Sequence, residues 1–209
     1  MRMRKKRHGA ERIAACSEYF ITNQSEYNSF PAELEIGCGK GAFILGCAKR
    51  YPDRNFVAME KISDVILLAA EKLKAENIQN VRLINADASR LQEFFPVGSV
   101  SRIYLNFSDP WPKKGHYKRR LTYRGFLEIY KKLLAPGGEI ILKTDNEGLF
   151  DFSLEEFTAS GFELFGLTRD LHASEYAADN IMTEYEKNFS EKGFKIHRVV
   201  ARPTEKNRK

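Results

Sequence analysis

Residues 104–120 read Tyr-Leu-Asn-Phe-Ser-Asp-Pro-Trp-Pro-Lys-Lys-Gly-His-Tyr-Lys-Arg-Arg. An apolar strand runs into a loop that holds one carboxylate, Asp109, between two backbone-stiffening prolines and the chain's only tryptophan, Trp111. Lys113, Lys114, Lys118, Arg119 and Arg120 follow at once. A core strand needs neither the acid nor the cations, and a plain surface loop has no use for a tryptophan between prolines. A fixed carboxylate can select a polar ligand, and the cations can hold phosphates. The segment therefore predicts a pocket beside a phosphate-binding surface.

A second constellation is Glu35-Ile-Gly37-Cys-Gly39-Lys-Gly41, placed where a short apolar strand turns into a helix. Glycines there let a ligand approach the backbone and the helix N–H groups. Gly37-x-Gly39-x-x-Ala42 also fits the dinucleotide fingerprint, so the glycines alone leave the ligand open. Two details favour S-adenosylmethionine over NAD. Glu35 stands where a carboxylate can hold a cationic methionine end, directly or through water, and the glycines recur at alternate positions, which suits close packing rather than a pyrophosphate. Glu60, about twenty residues on, ends a second strand, where an acid accepts hydrogen bonds from ribose hydroxyls in both kinds of fold. In Asn85-Ala86-Asp87-Ala88, Asp87 can accept from an adenine amino group while Ala86 or Ala88 lies against the ring. Asp87 can equally cap a following helix, or do both.

The elements that must position these residues alternate. Strands are expected at 34–36, 55–60, 81–85, 101–107, 139–143, 162–168 and 194–200, with helices at 40–49, 63–76 (capped by Ser63 or Asp64), 123–134 (closed by Pro136-Gly137-Gly138) and from beyond Leu149 to about Ser160. The pattern predicts an α/β fold: a Rossmann-like, doubly wound, mostly parallel seven-stranded sheet with helices on both faces, binding ligands beyond the carboxyl ends of its strands. Residues 169–192 read as a long polar loop with a short helix, and such loops are often functional. One domain is expected at 31–202, with a basic, RNA-contacting or flexible segment at 1–30 and a basic tail at 203–209.

The 209 residues carry a formal net charge of +6, and position matters more than the total. Arg2, Arg4, Lys5, Lys6 and Arg7 form one cluster, the run from Lys113 to Arg124 a second, and Arg202, Lys206, Arg208 and Lys209 a third. No apolar run approaches a membrane span, and no apolar stretch follows the basic start, so a cytoplasmic protein is expected. Cys16, Cys38 and Cys47 are odd in number and lack C-x-x-C spacing, which predicts free thiols and no zinc site. His8, His116, His172 and His197 are scattered; no metal is expected.

Taken in order, Glu35-x-Gly-x-Gly-x-Gly, Glu60, Asn85-Ala-Asp87 and Asn106-Phe-Ser-Asp109-Pro-Trp-Pro-Lys113 resemble the bacterial tRNA (guanine-N7)-methyltransferases, class I methyltransferases that use S-adenosylmethionine. The resemblance extends through Lys118-Arg119-Arg120-Leu-Thr-Tyr, Lys143-Thr-Asp145-Asn and Thr183-Glu184-Tyr185-Glu186, nearly the whole chain. It implies methyl transfer from S-adenosylmethionine to N7 of a guanine in the tRNA variable loop, leaving S-adenosylhomocysteine. Matched motif positions place Glu35, Gly37, Gly39, Gly41, Glu60, Asp87, Ala88, Asn106 and Asp109 around the cofactor, with Asp109 catalytic. They place Lys113, Asp145, Thr183, Glu184, Tyr185 and Glu186 around the substrate, and Lys114, Gly115, His116, Tyr117, Lys118, Arg119 and Arg120 on RNA. A monomer or homodimer without an obligatory protein partner is implied.

Guanine N7 already carries an in-plane lone pair, so its methylation needs no strong base and rate comes mainly from alignment. Asp109 is expected to accept from guanine N1–H and the 2-amino group, selecting guanine over adenine and stabilising the charge that develops on the purine. Asp145 would assist from the facing side. Trp111 or Phe107 could stack on an extruded base, although Phe107 alternates with Leu105 on a strand and suits the core as well. Tyr176, Tyr185 and Phe189 are read as packing residues. The rivals are a methyltransferase acting on another base or a small molecule, an NAD-dependent dehydrogenase, and a non-catalytic RNA-binding module.

Overall fold

A computed structural model describes residues 8–28 and 32–204. The basic cluster at 2–7 and the cations Lys206, Arg208 and Lys209 lie outside the described residues. Seven strands, mostly parallel, alternate with helices along the chain, as expected. They fall into two compact units that divide between Pro96 and Val97.

In the first unit, the short helices α1 (Gly9–Ala14) and α2 (Gln24–Asn28) precede β1 (Glu33–Ile36), α3 (Ala42–Arg50), β2 (Phe56–Met59), α4 (Ser63–Ala75), β3 (Val81–Ile84) and α5 (Leu91–Phe94). The strands run parallel in the order β3-β2-β1, with Glu35 opposite Ala58 and Met59 opposite Ile84. Every residue of β1 and β2 is buried; β2 accordingly reads as an unbroken apolar run, whereas β1 alternates Leu34 and Ile36 with the buried acids Glu33 and Glu35. Phe43, Ile44, Cys47 and Ala48 of α3 and Ile66, Leu67, Ala69, Ala70 and Leu73 of α4 form the buried faces of those helices. The N-terminal stretch docks on the unit: Arg12 holds the Glu71 carboxylate through two bonds of 2.8 Å, and the Tyr27 ring meets Phe95 edge-on at 4.7 Å. All three cysteines are buried free thiols.

In the second unit, β4 (Val100–Asn106), α6 (Arg124–Leu133), β5 (Leu134–Thr144), α7 (Glu147–Ala159), β6 (Phe162–Thr168), α8 (Glu184–Ser190) and β7 (His197–Pro203) follow in turn. Strand order is β4-β5-β7-β6, with β4 parallel to β5 and β7 antiparallel to both its neighbours.

Three local expectations are corrected. Glycine does not close α6: the helix stops at Leu133 because Leu134 turns extended and pairs with Val100, so Pro136-Gly137-Gly138 lies inside β5 at a register shift. A Cβ on Gly138 would stand 2.9 Å from the Ala135 carbonyl oxygen and 3.1 Å from that of Ser101, so the chain passes there only without a side chain. The last strand begins at His197 rather than 194, since Phe194 is exposed and belongs to an aromatic row near α8. Neither Ser63 nor Asp64 caps α4; Ile62 occupies the cap position, and its N–H is taken by the Glu60 carboxylate at 2.9 Å.

Candidate active site

Residues singled out in the sequence lie in both units, at the carboxyl ends of β1, β2 and β3 in the first and of β4 and β5 in the second.

In the first unit, Glu35 lies on β1 with only 1% of its surface exposed. Beyond it the chain takes left-handed backbone at Gly37, Gly39 and Gly41, with φ of 80°, 56° and 76°, a region that side chains avoid. A Cβ on Gly37 or Gly39 would meet nothing within 4 Å, whereas on Gly41 it would stand 2.7 Å from Ala69 Cβ. The first two glycines thus border open space, and the third lets α4 pack against the loop. Gly37 N–H and Cys38 N–H both donate to the Met59 carbonyl, at 2.8 and 3.1 Å, tying the loop to the end of β2.

Glu60 does two jobs at that end. One carboxylate oxygen accepts from Ile62 N–H and the other from Gly39 N–H at 3.3 Å, so the acid bridges the glycine loop to the start of α4. Burial first, and then the Glu35 and Glu60 carboxylates, push the Cys38 thiol well above its usual range, leaving a protonated, inert group. Asp87, at the end of β3, accepts from Ser89 N–H at 3.0 Å, and that bond holds its carboxyl below the usual range. The cap reading of Asp87 is therefore realised, with one carboxylate oxygen engaged.

Asn85, read only as a motif neighbour, is the link the sequence analysis missed. Its side chain donates to the Glu60 carbonyl at 2.8 Å and accepts from Ser63 Oγ at 2.7 Å, fixing the ends of β2 and β3 to α4. Ile62, two residues beyond Glu60, is an apolar side chain left 48% exposed.

In the second unit, β4 and β5 run in register as far as Asn106 opposite Lys143. Phe107 N–H extends the ladder to the Lys143 carbonyl at 2.8 Å. The chain then turns sharply, with φ of 53° at Phe107 and 41° at Trp111, and presents an exposed Asp109 between them. Asp145 follows the neighbouring strand two residues beyond Lys143, so the segments that carry the two acids leave adjoining strand ends.

Asp145 is held from outside: the Tyr185 hydroxyl donates to its Oδ2 at 3.2 Å. Burial, then Asp145, push that hydroxyl up to about 12, so it remains a donor at neutral pH. The Tyr185 ring is stacked on Phe189 at 4.1 Å and tilted against Phe107 at 5.0 Å. Tyr185 is thus steadied by two neighbouring rings while remaining 42% exposed. Phe107 is half-buried and lies just past the end of β4, outside the core.

Lys143 anchors the segment that carries Tyr185. Its Nζ donates to Glu186 at 2.7 Å, to the Ile181 carbonyl at 2.9 Å and to Asn180 at 3.0 Å, in a place where Glu186 is 0% and Lys143 3% exposed. Thr183 caps α8 by accepting from Glu186 N–H at 2.8 Å. Thr183 and Glu186 therefore work inside the fold, while Glu184 and Tyr185 are exposed.

The basic run forms a 3-10 turn over Lys114–Arg119. Lys113, Lys114, Gly115, Lys118 and Arg119 are exposed, and so is Tyr117, whose ring meets Tyr123 edge-on. Arg119 covers the Trp111 ring at 5.0 Å and His116 meets it edge-on at 5.7 Å. Arg120 instead points its guanidinium at backbone carbonyls, and Arg124 and Arg202 are taken by Glu156 and Glu139. The surface charge of the central run is smaller than its composition suggests. No helix among the described residues is long and apolar enough to cross a membrane.

Residues 29–199 match the family model described as "Putative methyltransferase". A tRNA (guanine-N(7)-)-methyltransferase of Brevibacillus brevis is 49% identical over 204 residues, covering 92% of this chain and 94% of the relative. One of a Geobacillus species is 45% identical over 100% of this chain and 99% of its own length. A solved antibiotic-related methyltransferase superposes with a TM-score of 0.64 at 14% identity, over 87% of this chain and 93% of that one, and shows the shared fold. With these relatives and this arrangement of motifs, the chain belongs to the tRNA (guanine-N7-)-methyltransferase family of S-adenosylmethionine-dependent enzymes.

Proposed function

We propose that the protein methylates N7 of the variable-loop guanine of tRNA, with Asp109 as the residue that receives the base. The observation that carries this reading is the emergence of Asp109 and Asp145 from adjoining ends of β4 and β5, with the exposed cations 113–119 directly after the first acid.

The first unit's residues fit S-adenosylmethionine. Gly37 and Gly39 leave open backbone, Glu35 is a buried acid suited to an ammonium group, Glu60 suits a ribose diol, and Asp87 suits an adenine amino group, with Ala88 and Ile62 as apolar walls. Asn106, at the end of β4, is assigned to the same ligand. When bound, this cofactor supplies an electrophilic methyl group.

The remaining work is recognition and alignment. Guanine N1–H and the 2-amino group form a donor pair that matches a carboxylate, whereas adenine offers an acceptor at N1, so Asp109 rejects adenine by leaving its own charge unpaired. As N7 is alkylated the purine becomes cationic and its N1–H more acidic, so the same bonds strengthen and stabilise the transition state more than the ground state. No proton leaves N7, and no general base is required. Asp145, oriented by Tyr185, adds a second negative charge at the neighbouring strand end. Lys113, Lys114, Lys118 and Arg119, with His116, Gly115 and Tyr117 on the same turn, hold the RNA backbone, giving affinity that falls steeply with salt. The basic N-terminal segment adds RNA contacts, and the protein acts in the cytoplasm without metal or an obligatory protein partner, as a monomer or homodimer.

The test is to incubate protein with unmodified tRNA transcript and methyl-labelled S-adenosylmethionine, then map label by aniline cleavage at borohydride-reduced N7-methylguanine. Cleavage in the variable loop, lost in Asp109→Ala, is expected. RNA that binds but stays unlabelled would favour the binding-module reading; label at another base would discard the variable-loop assignment.

A further inference from the structure

Arg120 lies in the basic run, yet its guanidinium faces the protein. Nε donates to the Pro110 carbonyl at 2.8 Å and an Nη to the Trp111 carbonyl at 3.4 Å, while the guanidinium lies over the Phe152 ring at 4.3 Å. These carbonyls belong to the two residues that follow Asp109. Proline at 110 and 112 removes two N–H groups from the loop, so the segment has little backbone pairing of its own. Phe107 and Trp111, both bulky, hold positive φ on either side of the acid. Such backbone persists only where its surroundings over-determine it. At the Phe107 end the β4–β5 ladder does this, through the bond to the Lys143 carbonyl. At the Trp111 end the holding group is the Arg120 fork, seated on Phe152 of α7.

We propose that Arg120 is a positioning residue for the base-binding acid, clamping the Pro110 and Trp111 carbonyls so that Asp109 is presented at one fixed geometry, and that it is not one of the phosphate contacts. The inference rests on Asp109 receiving the base. Its chemistry depends on a planar fork that spans two carbonyls, which an ammonium cannot reproduce. Arg119, the residue before it, is exposed with its charge over the Trp111 ring and belongs to the RNA-facing set. Neighbouring arginines of equal charge thus have opposite assignments.

Arg120→Lys keeps the charge and loses the fork. Expected is a fall of about 10- to 100-fold in the single-turnover methylation rate at saturating tRNA, the scale of a small misplacement of a reacting partner. tRNA affinity should stay within about twofold, with an unchanged slope of log Kd against log salt, because no phosphate contact is lost. Lys118→Ala should do the reverse, weakening binding and flattening that slope by nearly one unit. Phe152→Leu, which removes the seat of the clamp, should reproduce part of the rate loss in wild type and add little in Arg120→Lys. It also serves if the lysine variant folds poorly.

Because Trp111 is the chain's only tryptophan, its fluorescence reports the loop without any reaction. Acrylamide quenching of the free protein should rise in Arg120→Lys. A lysine variant that turns over normally but binds tRNA weakly with a flatter salt slope would overturn the proposal and return Arg120 to the phosphate set. Unchanged quenching together with an unchanged rate would overturn it as well. If the wild-type protein fails to label tRNA at N7, the functional reading is what falls, and the quenching arm still decides whether Arg120 holds the loop.

Discussion

The two halves of the site are built by different means. In the first unit the groups come from short segments at the ends of three adjacent parallel strands, and the hydrogen bonds among them are mostly backbone N–H groups meeting a nearby acid or carbonyl. In the second unit the acids are set by side chains brought in from far along the chain: Tyr185 to Asp145, Glu186 to Lys143, and Phe152 beneath Arg120. Glycine φ values give the first unit's loop a form that needs few distant partners. A base that must be taken out of folded RNA needs acids whose orientation is imposed from outside.

The largest effect that would test this difference is on stability. Glu186→Ala leaves the Lys143 ammonium buried without its carboxylate and should cost about 3–5 kcal/mol in urea denaturation. The half-exposed Arg12–Glu71 pair of the first unit should cost less than about 1 kcal/mol when Arg12→Ala breaks it. Equal losses would mean the second unit does not depend on its buried pair.

Asp109→Ala comes next. Its kcat should fall about 10²- to 10³-fold, as for loss of a group that meets developing charge, while calorimetric S-adenosylmethionine affinity stays unchanged. Equal losses in both would move Asp109 to the cofactor.

Glu60→Gln should act the other way, weakening S-adenosylmethionine about 10- to 100-fold by losing a charged acceptor and loosening the glycine loop. Its turnover at saturating cofactor should change little.

The smallest expected effect is Tyr185→Phe, a several-fold loss of kcat/KM through a less well-oriented Asp145. It has a pH signature. The Tyr185 hydroxyl is raised from 10.0 to about 12 by burial and by Asp145, so the unfolded chain loses this proton first as pH rises. The stabilisation is complete below about pH 10 and disappears as pH climbs to about 12, and the phenylalanine variant should lack that component of the alkaline decline in Tm. A variant with the same alkaline profile as wild type would show that the folded protein does not shift the Tyr185 hydroxyl.

Much of the first half was legible because its determinants are local. Glycines at 37, 39 and 41 take positive φ, Glu60 stands at the strand end, and Asp87 caps the turn after β3, each within reach of its own neighbours. Ser63 was misassigned as a cap because a serine before a helix offers the same local signal whether it caps or bonds across to Asn85. In the second half, residue types were readable and roles were not. Thr183 and Glu186 carry the family motif, but only packing shows that one caps α8 and the other is buried on Lys143. Arg119 and Arg120 are indistinguishable as letters, and Tyr185 gives no sign that it packs on Phe107 and Phe189.

The amino-acid order by itself determined the alternation of strands and helices, the glycine turn, the acids at strand ends and the presence of a basic run after Asp109. These follow from periodicity and backbone sterics, which act between residues a few positions apart. Tertiary structure decided which cations face outward, which acids are buried and what orients Asp145. Those outcomes depend on partners 10 to 43 positions away, whose approach is set by strand pairing and burial rather than by local spacing.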